Sequence, residues 1–355
     1  MPDPAAACVD RASRLAHESS WAGYDTAADR SGETVCHVEV AGQTATLRVA
    51  GGSLASSLLP ALAARRSVPP AGPRTTVIRA WDSTTSGAPG PRSPWGPGDY
   101  LSRDEVRGSG ADDVDVAYSI AARLLATWDR RAWRGAWWAR DAGALPYWEP
   151  TAPLRYLFHW WLADAGSAMV HAAAVGRDHR GVLLVGPGGA GKSTAALACV
   201  EAGWRYVADD YCVLSGDGPA AAHSLYGVGK LAEESARRLP GLADAAVGRR
   251  PGDDKVVFDI AAARPAQMAA TLALRAVVVP RLDSEGGPPV RLSRAAAARA
   301  LAPSTLYQLP SPRPAALAVM ARTLRRLPIF SVPLGPDRRR AVGALDEVLV
   351  LADRP

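Results

Sequence analysis

Gly181-Val182-Leu183-Leu184-Val185-Gly186-Pro187-Gly188-Gly189-Ala190-Gly191-Lys192-Ser193-Thr194 decides the fold. Four aliphatic residues in a row read as a buried strand, and from Gly186 to Ser193 the chain satisfies GxxxxGK[ST]. A helix is predicted from Lys192 to Ala202, with Gly203 just beyond its end. Strand, glycine loop and helix in that order form a phosphate-binding loop. Gly186, Gly188, Gly189, Ala190 and Gly191 let successive backbone N–H groups turn inward around phosphate oxygens, and the helix start at Ser193 and Thr194 adds its positive end. In this pattern Lys192 reaches the β- and γ-phosphates and the Ser193 hydroxyl ligates Mg²⁺. The expected ligands are therefore ATP and Mg²⁺.

Working outward, His171 to Val175 is predicted to be a strand that pairs, across the polar turn 176–180, with the strand feeding the loop. His171 begins that strand, within reach of the γ-phosphate region. After the helix, Tyr206 to Leu214 reads as a strand with Asp209 and Asp210 near its middle. Phosphoryl transfer needs one carboxylate to hold the metal, and a kinase needs a second to accept the proton of the acceptor hydroxyl. Adjacent residues of a strand point to opposite faces, so both aspartates share the site only if the strand ends or bulges there. Further strands are expected at Val256–Ile260, Leu274–Val279 and Ile329–Leu334. Helices are expected at Ser293–Leu301, Pro314–Leu327 and Asp337–Leu351, with Ser293 and Asp337 as N-caps.

The N-terminal half is less regular. Residues 34–49 alternate around Gly42-Gln43 as a β-hairpin, followed by a helix at Ser53–Arg65 and a strand at Thr75–Trp81. The Ser-, Gly- and Pro-rich stretch 83–98 reads as a long mobile loop or an insertion, and Val114–Trp128 as a helix. Seven tryptophans follow (Trp128, Trp133, Trp137, Trp138, Trp148, Trp160 and Trp161), interleaved with Arg130, Arg131, Arg134 and Arg140. They read either as a stacking platform for bases or a peptide, or as packing between the two halves covered by arginine stems.

Composition narrows the chemistry. The 355 residues are 48% apolar, enough for a large core, and no apolar run approaches the about 20 residues a bilayer requires. The N-terminus shows no secretory signal, so a cytoplasmic protein is expected, with no membrane partner. The four cysteines form no CxxC pair and no metal-ligand spacing, and Cys199 and Cys212 read as buried thiols. The net charge of +6 comes from scattered arginines, which favours a solvated surface over a nucleic-acid groove. There is no asparagine, which excludes both the Asn-Lys-x-Asp motif of GTPases and the HRD-x-x-x-x-N loop of common protein kinases. Lysine occurs three times, as Lys192, Lys230 and Lys255, leaving 41 − 3 = 38 arginines. A chain that uses arginine elsewhere can keep lysine where a compact ammonium is needed. For Lys230, at the end of 224–230, and for Lys255, contact with a phosphate or the acceptor stands beside an ordinary surface position.

His171 with its hairpin, GPGGAGKST at 186–194 and Ala208-Asp209-Asp210 resemble the core of bacterial HPr kinase/phosphorylase. They are more similar still to the HPr-kinase-related serine kinases, including those that phosphorylate lasso peptides. The resemblance covers residues 168–215 and continues more weakly to the C-terminus. It implies a fold akin to phosphoenolpyruvate carboxykinase and ATP-dependent transfer to a serine hydroxyl. It implies Asp209 as general base, Asp210 and Ser193 as metal ligands, and His171 as an assistant near the transferred phosphate. Arg250-Pro251-Gly252 is similar to a basic active-site loop of the parent enzyme, although Asp253-Asp254-Lys255 replaces its arginine-led segment. The parent's glutamate-bearing signature is missing, so phosphorolysis is not implied.

The expected fold is therefore α/β: an HPr-kinase-like catalytic domain over 151–355, with a mixed sheet entered by an antiparallel hairpin, and a smaller α+β region over 1–150 serving acceptor recognition. The expected activity is transfer of a γ-phosphoryl group to a hydroxyl, serine of a peptide or small protein, with a small-molecule acceptor as a variant. A P-loop ATPase switch and a nucleotide-binding module are the competing classes. The paired aspartates and His171 favour a hydroxyl acceptor over both. A homo-oligomer is compatible with the sequence.

Overall fold

Alternation of apolar and polar residues around Gly42 produces the first strands of the molecule. The computed structural model describes residues 4–69, 75–91, 94–101, 104–107, 109–110, 113–250, 252–283, 287–309, 312–335 and 337–354. Two compact units emerge: residues 1–60, 66–165 and 309–313 form the first, and 61–65, 166–308 and 314–355 the second.

The first unit contains α1 (Pro4–Ser31), β1 (Glu33–Val40), β2 (Gln43–Ala50), α2 (Gly52–Leu58), β3 (Thr76–Asp82), α3 (Ser83–Ser86), β4 (Val114–Ser119), β5 (Leu124–Asp129), β6 (Arg134–Ala139) and α4 (Arg155–Asp164). Its sheet runs β1-β2-β3-β6-β5-β4, parallel at β2–β3 and β3–β6 and antiparallel elsewhere. The hairpin and the strand predicted for 34–81 are present.

Residues 114–128, expected as a helix, are instead two strands. Val114-Asp-Val-Ala-Tyr-Ser and Leu124-Leu-Ala-Thr-Trp-Asp pair with each other, and β5 pairs in turn with the tryptophan strand β6. The partner strand lies outside the window in which a helical period was read, and it overrides the local preference. Trp128, Trp137, Trp160 and Trp161 are almost wholly buried and Trp138 is 6% exposed, so five of the seven tryptophans are core rather than a stacking platform. Helix α1 approaches the sheet so closely that a Cβ on Gly23 would stand 2.5 Å from the Trp81 ring, and the Trp81 indole N–H donates to Ser20 O at 2.9 Å.

The described part of 83–98 is anchored at several points. Asp82 caps α3 through Thr85 N–H, Trp138 Nε1 donates to Ser83 Oγ at 2.9 Å, and Ala88 and Trp95 are buried. Gly90 lies flat on the Trp138 ring, where any side chain would collide, and Ser–Gly–Pro composition does not register such a contact.

The second unit contains β7 (Ala168–His171), β8 (Ala173–Arg177), β9 (Arg180–Leu184), α5 (Lys192–Glu201), β10 (Arg205–Ala208), β11 (Tyr211–Leu214), β12 (Ala221–Ser224), β13 (Val228–Ala232), α6 (Glu233–Arg237), β14 (Ala246–Arg249), β15 (Lys255–Asp259), α7 (Ile260–Ala263), β16 (Thr271–Leu282), β17 (Val290–Arg291), α8 (Arg294–Gln308), α9 (Pro314–Arg326), β18 (Ile329–Leu334) and α10 (Arg338–Ala352). The large mixed sheet runs β10-β8-β9-β16-β12-β11-β7, with β18 also on β16 and β17 on β18. Strands β9, β16 and β18 are parallel, and β8–β9 is the antiparallel entry expected from the sequence. Helices α5 and α10 pack together on one part of this sheet and α8 and α9 on β7, while β13-β15-β14 form a separate small sheet. Asp337 caps α10 and the Ser293 hydroxyl accepts from Ala296 N–H, as predicted.

Candidate active site

The loop after β9 is fixed at both ends. Val185 N–H donates to Val278 O at 2.8 Å, and α5 begins at Lys192. Between them Gly189 (φ 80°) and Gly191 (φ 92°) occupy the left-handed region, which an L side chain adopts only with strain. A Cβ at Gly191 would also press on Leu334 at 3.2 Å. Lys192 is 5% exposed and donates to Gly186 O at 2.8 Å and Pro187 O at 3.1 Å. Burial lowers its pKa, partly offset by Asp210 and Asp209 and reinforced by Lys255. Ser193 Oγ donates to Asp209 O at 3.3 Å, which ties the loop helix to the aspartate pair.

His171 does not lead the hairpin strand, as the sequence suggested. The expected strand is cut at Ala172: β7 ends at His171 and pairs with β11, whereas β8 begins at Ala173 and pairs with β9 and β10. The predicted 206–214 strand is cut at the same level, with Asp209 and Asp210 in the bend between β10 and β11. The two cuts make a fork in the sheet, where Ala208 pairs with Ala174 but Tyr211 pairs with His171. Strand alternation lapses in the bend, so the two carboxylates are not sent to opposite faces.

Their surroundings differ. Asp209 is 3% exposed; its Oδ1 accepts from the Tyr206 hydroxyl at 3.0 Å and its Oδ2 from Lys230 N–H at 3.1 Å. Burial, then the charge on Asp210, raises its pKa against the pull of the hydrogen bonds. The Asp210 side chain is 33% exposed, and its Oδ1 lies 2.9 Å from His171 Nε2. Burial would raise its pKa, but the His171 hydrogen bond and charge, with Lys230 and Lys255, bring it down to about 2. Adjacent carboxylates with pKa values pushed apart are the pattern of paired proton-transfer and charge-holding roles.

All three lysines act electrostatically at this place. Lys192 feels Asp210, and Lys230 on β13 and Lys255 at the start of β15 both act on the Asp210 carboxylate. Arg250 is not bonded to the pair: among the described residues no hydrogen bond or ion pair joins it to either aspartate, and its buried Nε has no hydrogen-bond partner.

The structure adds residues that sequence reasoning missed. Ser304 Oγ is hydrogen-bonded to His171 Nδ1, and Thr305 Oγ1 accepts from His171 N–H at 3.1 Å. The Tyr211 ring lies 5.6 Å from the His171 ring in a tilted pair, and its hydroxyl donates to Gln308 Oε1 at 2.5 Å. These three polar residues share one stretch of α8, more than 130 positions from His171. Their only sequence signal is a polar cluster in an otherwise alanine-rich helix. Tyr206, which braces Asp209, carried no signal at all.

Among the described residues no group of three or more His, Cys, Asp or Glu side chains can enclose a metal ion. Asp210 and Ser193 carry oxygen donors of the kind Mg²⁺ takes, since it binds through one or two carboxylates together with substrate phosphates and waters.

No protein-family model and no curated protein matches the chain. Among solved structures it is similar to the HPr(Ser) kinase/phosphatase from Coxiella burnetii, with 15% identity and a TM-score of 0.30, over 52% of this chain and 88% of that one. A likeness of that depth says nothing about activity.

Proposed function

We propose that the second unit is an ATP- and Mg²⁺-dependent kinase that transfers the γ-phosphoryl group to a hydroxyl, serine of a peptide or small protein. The observation that carries this reading is the unlike pair of adjacent aspartates in the sheet fork beside the phosphate loop. A nucleotide-driven switch needs a metal carboxylate but no second acid with a raised pKa.

In this reading the loop amides and Lys192 hold the β- and γ-phosphates. The acceptor oxygen attacks the γ-phosphorus as the bond to the β,γ-bridging oxygen breaks, and ADP leaves. Asp209, whose raised pKa makes it the better proton acceptor of the pair, takes the hydroxyl proton. Asp210 stays ionised, oriented by His171, and with Ser193 would hold Mg²⁺, which would supply positive charge against the phosphate oxygens. Lys230 and Lys255 add positive charge on the acceptor side.

A second assignment has its own observation in favour. Asp210 is the more exposed carboxylate and Asp209 is enclosed, which suits exchanged roles with Asp210 as base.

The test is incubation of the protein with γ-labelled ATP, Mg²⁺ and candidate serine peptides, with Lys192→Ala, Asp209→Asn and Asp210→Asn as controls. Label on a peptide serine, lost in Lys192→Ala, supports the kinase. Label released only as inorganic phosphate overturns it in favour of the ATPase. Retention of transfer in Asp209→Asn alone moves the base to Asp210.

A further inference from the structure

His171 joins Asp210 to a hydroxyl on the far side of its ring. Ser304 Oγ is bonded to His171 Nδ1, and His171 Nε2 lies 2.9 Å from Asp210 Oδ1. An ionised carboxylate only accepts, so the Nε2 proton points to Asp210 and Nδ1 presents a lone pair. The Ser304 hydroxyl therefore donates to Nδ1. Serine, imidazole and aspartate stand in the order of a catalytic triad, in which the imidazole takes the hydroxyl proton and the carboxylate holds the resulting imidazolium.

The surrounding helix fixes this serine in place. A helical serine hydroxyl commonly bonds back to the carbonyl one turn earlier. Ser304 turns toward the sheet instead, directly after Pro303, which interrupts α8 and has no N–H to give its own helix. Thr305 Oγ1 accepts from His171 N–H at 3.1 Å, and Gln308 Oε1 accepts from the Tyr211 hydroxyl. The residues one and four positions beyond Ser304 thus fasten the same stretch of helix to β7 and β11. His171 is 6% exposed, whereas Ser304 is half-buried.

The electrophile is set by the aspartate end of the chain. A serine triad serves acyl transfer where an oxyanion hole receives a carbonyl oxygen. Here Asp210 acts on the charge of Lys192, and Lys230 and Lys255 act on Asp210. Three ammonium groups at that end suit a phosphoryl group.

We propose that Ser304 is a phosphoryl acceptor within its own chain, a modification site activated by His171. The Ser304 oxygen attacks the γ-phosphorus of ATP, the bond from that phosphorus to the β,γ-bridging oxygen breaks, and ADP leaves with the electron pair. The Ser304 proton passes to His171 Nδ1, and Asp210 holds the imidazolium at Nε2. The phosphoryl donor rests on the kinase reading; the activation of Ser304 does not.

Two measurements on the full chain test this. With MgATP and no peptide, mass-spectrometric mapping is expected to find phosphoserine at 304, formed at a rate independent of protein concentration. Ser304→Ala and Lys192→Ala are expected to lack it, and His171→Gln to form it about 10²-fold or more slowly. Without nucleotide, a fluorophosphonate, which loses fluoride to an activated serine, is expected to modify Ser304 in the wild type and in Lys192→Ala but not in His171→Gln. Transfer from ATP to serine peptides while Ser304 stays unmodified overturns the proposal and leaves the kinase reading standing. So does phosphate on another serine of the chain instead, or a rate that rises with protein concentration. Equal modification of Ser304 in the wild type and His171→Gln, by either reagent, overturns the role of His171. Absence of label from ATP on chain and peptide alike removes the kinase reading and the modification together.

Discussion

Replacing Asp209 by asparagine separates catalysis from folding at one position. In the wild type the Tyr206 hydroxyl has a single proton and two acceptors, Asp209 Oδ1 at 3.0 Å and Val228 O at 2.9 Å. An asparagine resolves that competition. Its oxygen accepts from Lys230 N–H, its amide donates to the Tyr206 oxygen, and the phenol proton goes to Val228 O. The substitution also removes a buried negative charge beside Asp210. Because the folded-state pKa of Asp209 is raised, the wild type loses stability as pH rises from the unfolded carboxylate value of 3.8 through the folded value. Asp209→Asn has no such loss, so its advantage is full at neutral pH and absent in strong acid. The expected change is between zero and about 2 kcal/mol in favour of the variant, the scale of relieving an imperfectly satisfied buried group. Asp209→Ala leaves Lys230 N–H buried without its acceptor and costs about 1–3 kcal/mol. Urea unfolding in EDTA at pH 7 and pH 4 measures both. Phosphoryl transfer by Asp209→Asn falls by about 10²–10⁴-fold if the residue is the general base. The reasoning is refuted if Asp209→Asn loses more than about 1 kcal/mol at pH 7, because the charge itself would then be holding the fork together.

Lys192→Met removes the donor to Gly186 O and Pro187 O, and it is expected to abolish nucleotide-dependent label transfer while leaving the circular dichroism spectrum unchanged. His171→Ala deprives Asp210 of the hydrogen bond that, with nearby charges, brings its pKa down to about 2; a carboxyl-carbon NMR titration should move the midpoint upward toward 3.8. Asp210 stabilises the fold above its unfolded pKa and loses that contribution as pH falls through about 2, so His171→Ala shrinks the acid limb of the stability profile. Ser304→Ala is expected to move the same Asp210 midpoint in the same direction but less, and Ser304→Thr to restore it, because Ser304 acts on Asp210 only by holding the His171 ring. Gly23→Ala forces a Cβ into the Trp81 ring and is expected to cost about 1–3 kcal/mol, read as a lowered thermal midpoint of the first unit.

What was legible in the sequence was contiguous. The phosphate loop, its strand and its helix occupy one short stretch, and Gly189 and Gly191 there answer a local backbone demand. Asp209 and Asp210 are neighbours, so their importance was visible, but the fork that gathers them was not. That fork exists because, beyond the breaks at Ala172 and Asp209-Asp210, β7 and β11 pair with each other rather than continuing β8 and β10, and nothing in either stretch names its partner strand. Ser304, Thr305 and Gln308 reach His171 and Tyr211 through a fold-level contact that no period or motif encodes. The helix expected at 114–128 failed for the same reason, since its apolar residues answer to β6 rather than to one another. Around 83–98 the small residues read as freedom, yet Gly90 is small because Trp138 lies against it.

The gathering of Lys192, Lys230 and Lys255 around Asp210 makes this an unusual protein to handle at the bench. Apart from the N-terminal amine, these three carry every primary amine in the chain. Reagents that ordinarily decorate a whole surface, such as activated esters, aldehydes and acyl phosphates, are confined here, among side-chain amines, to one locality. The buried Lys192 is shielded, while Lys255 is open to solvent. The order in which the three sites acquire label therefore reports accessibility at a single position in the fold. A fluorophore or a resin attached through a lysine would land on that same position and obstruct it, so immobilisation calls for chemistry directed at another group.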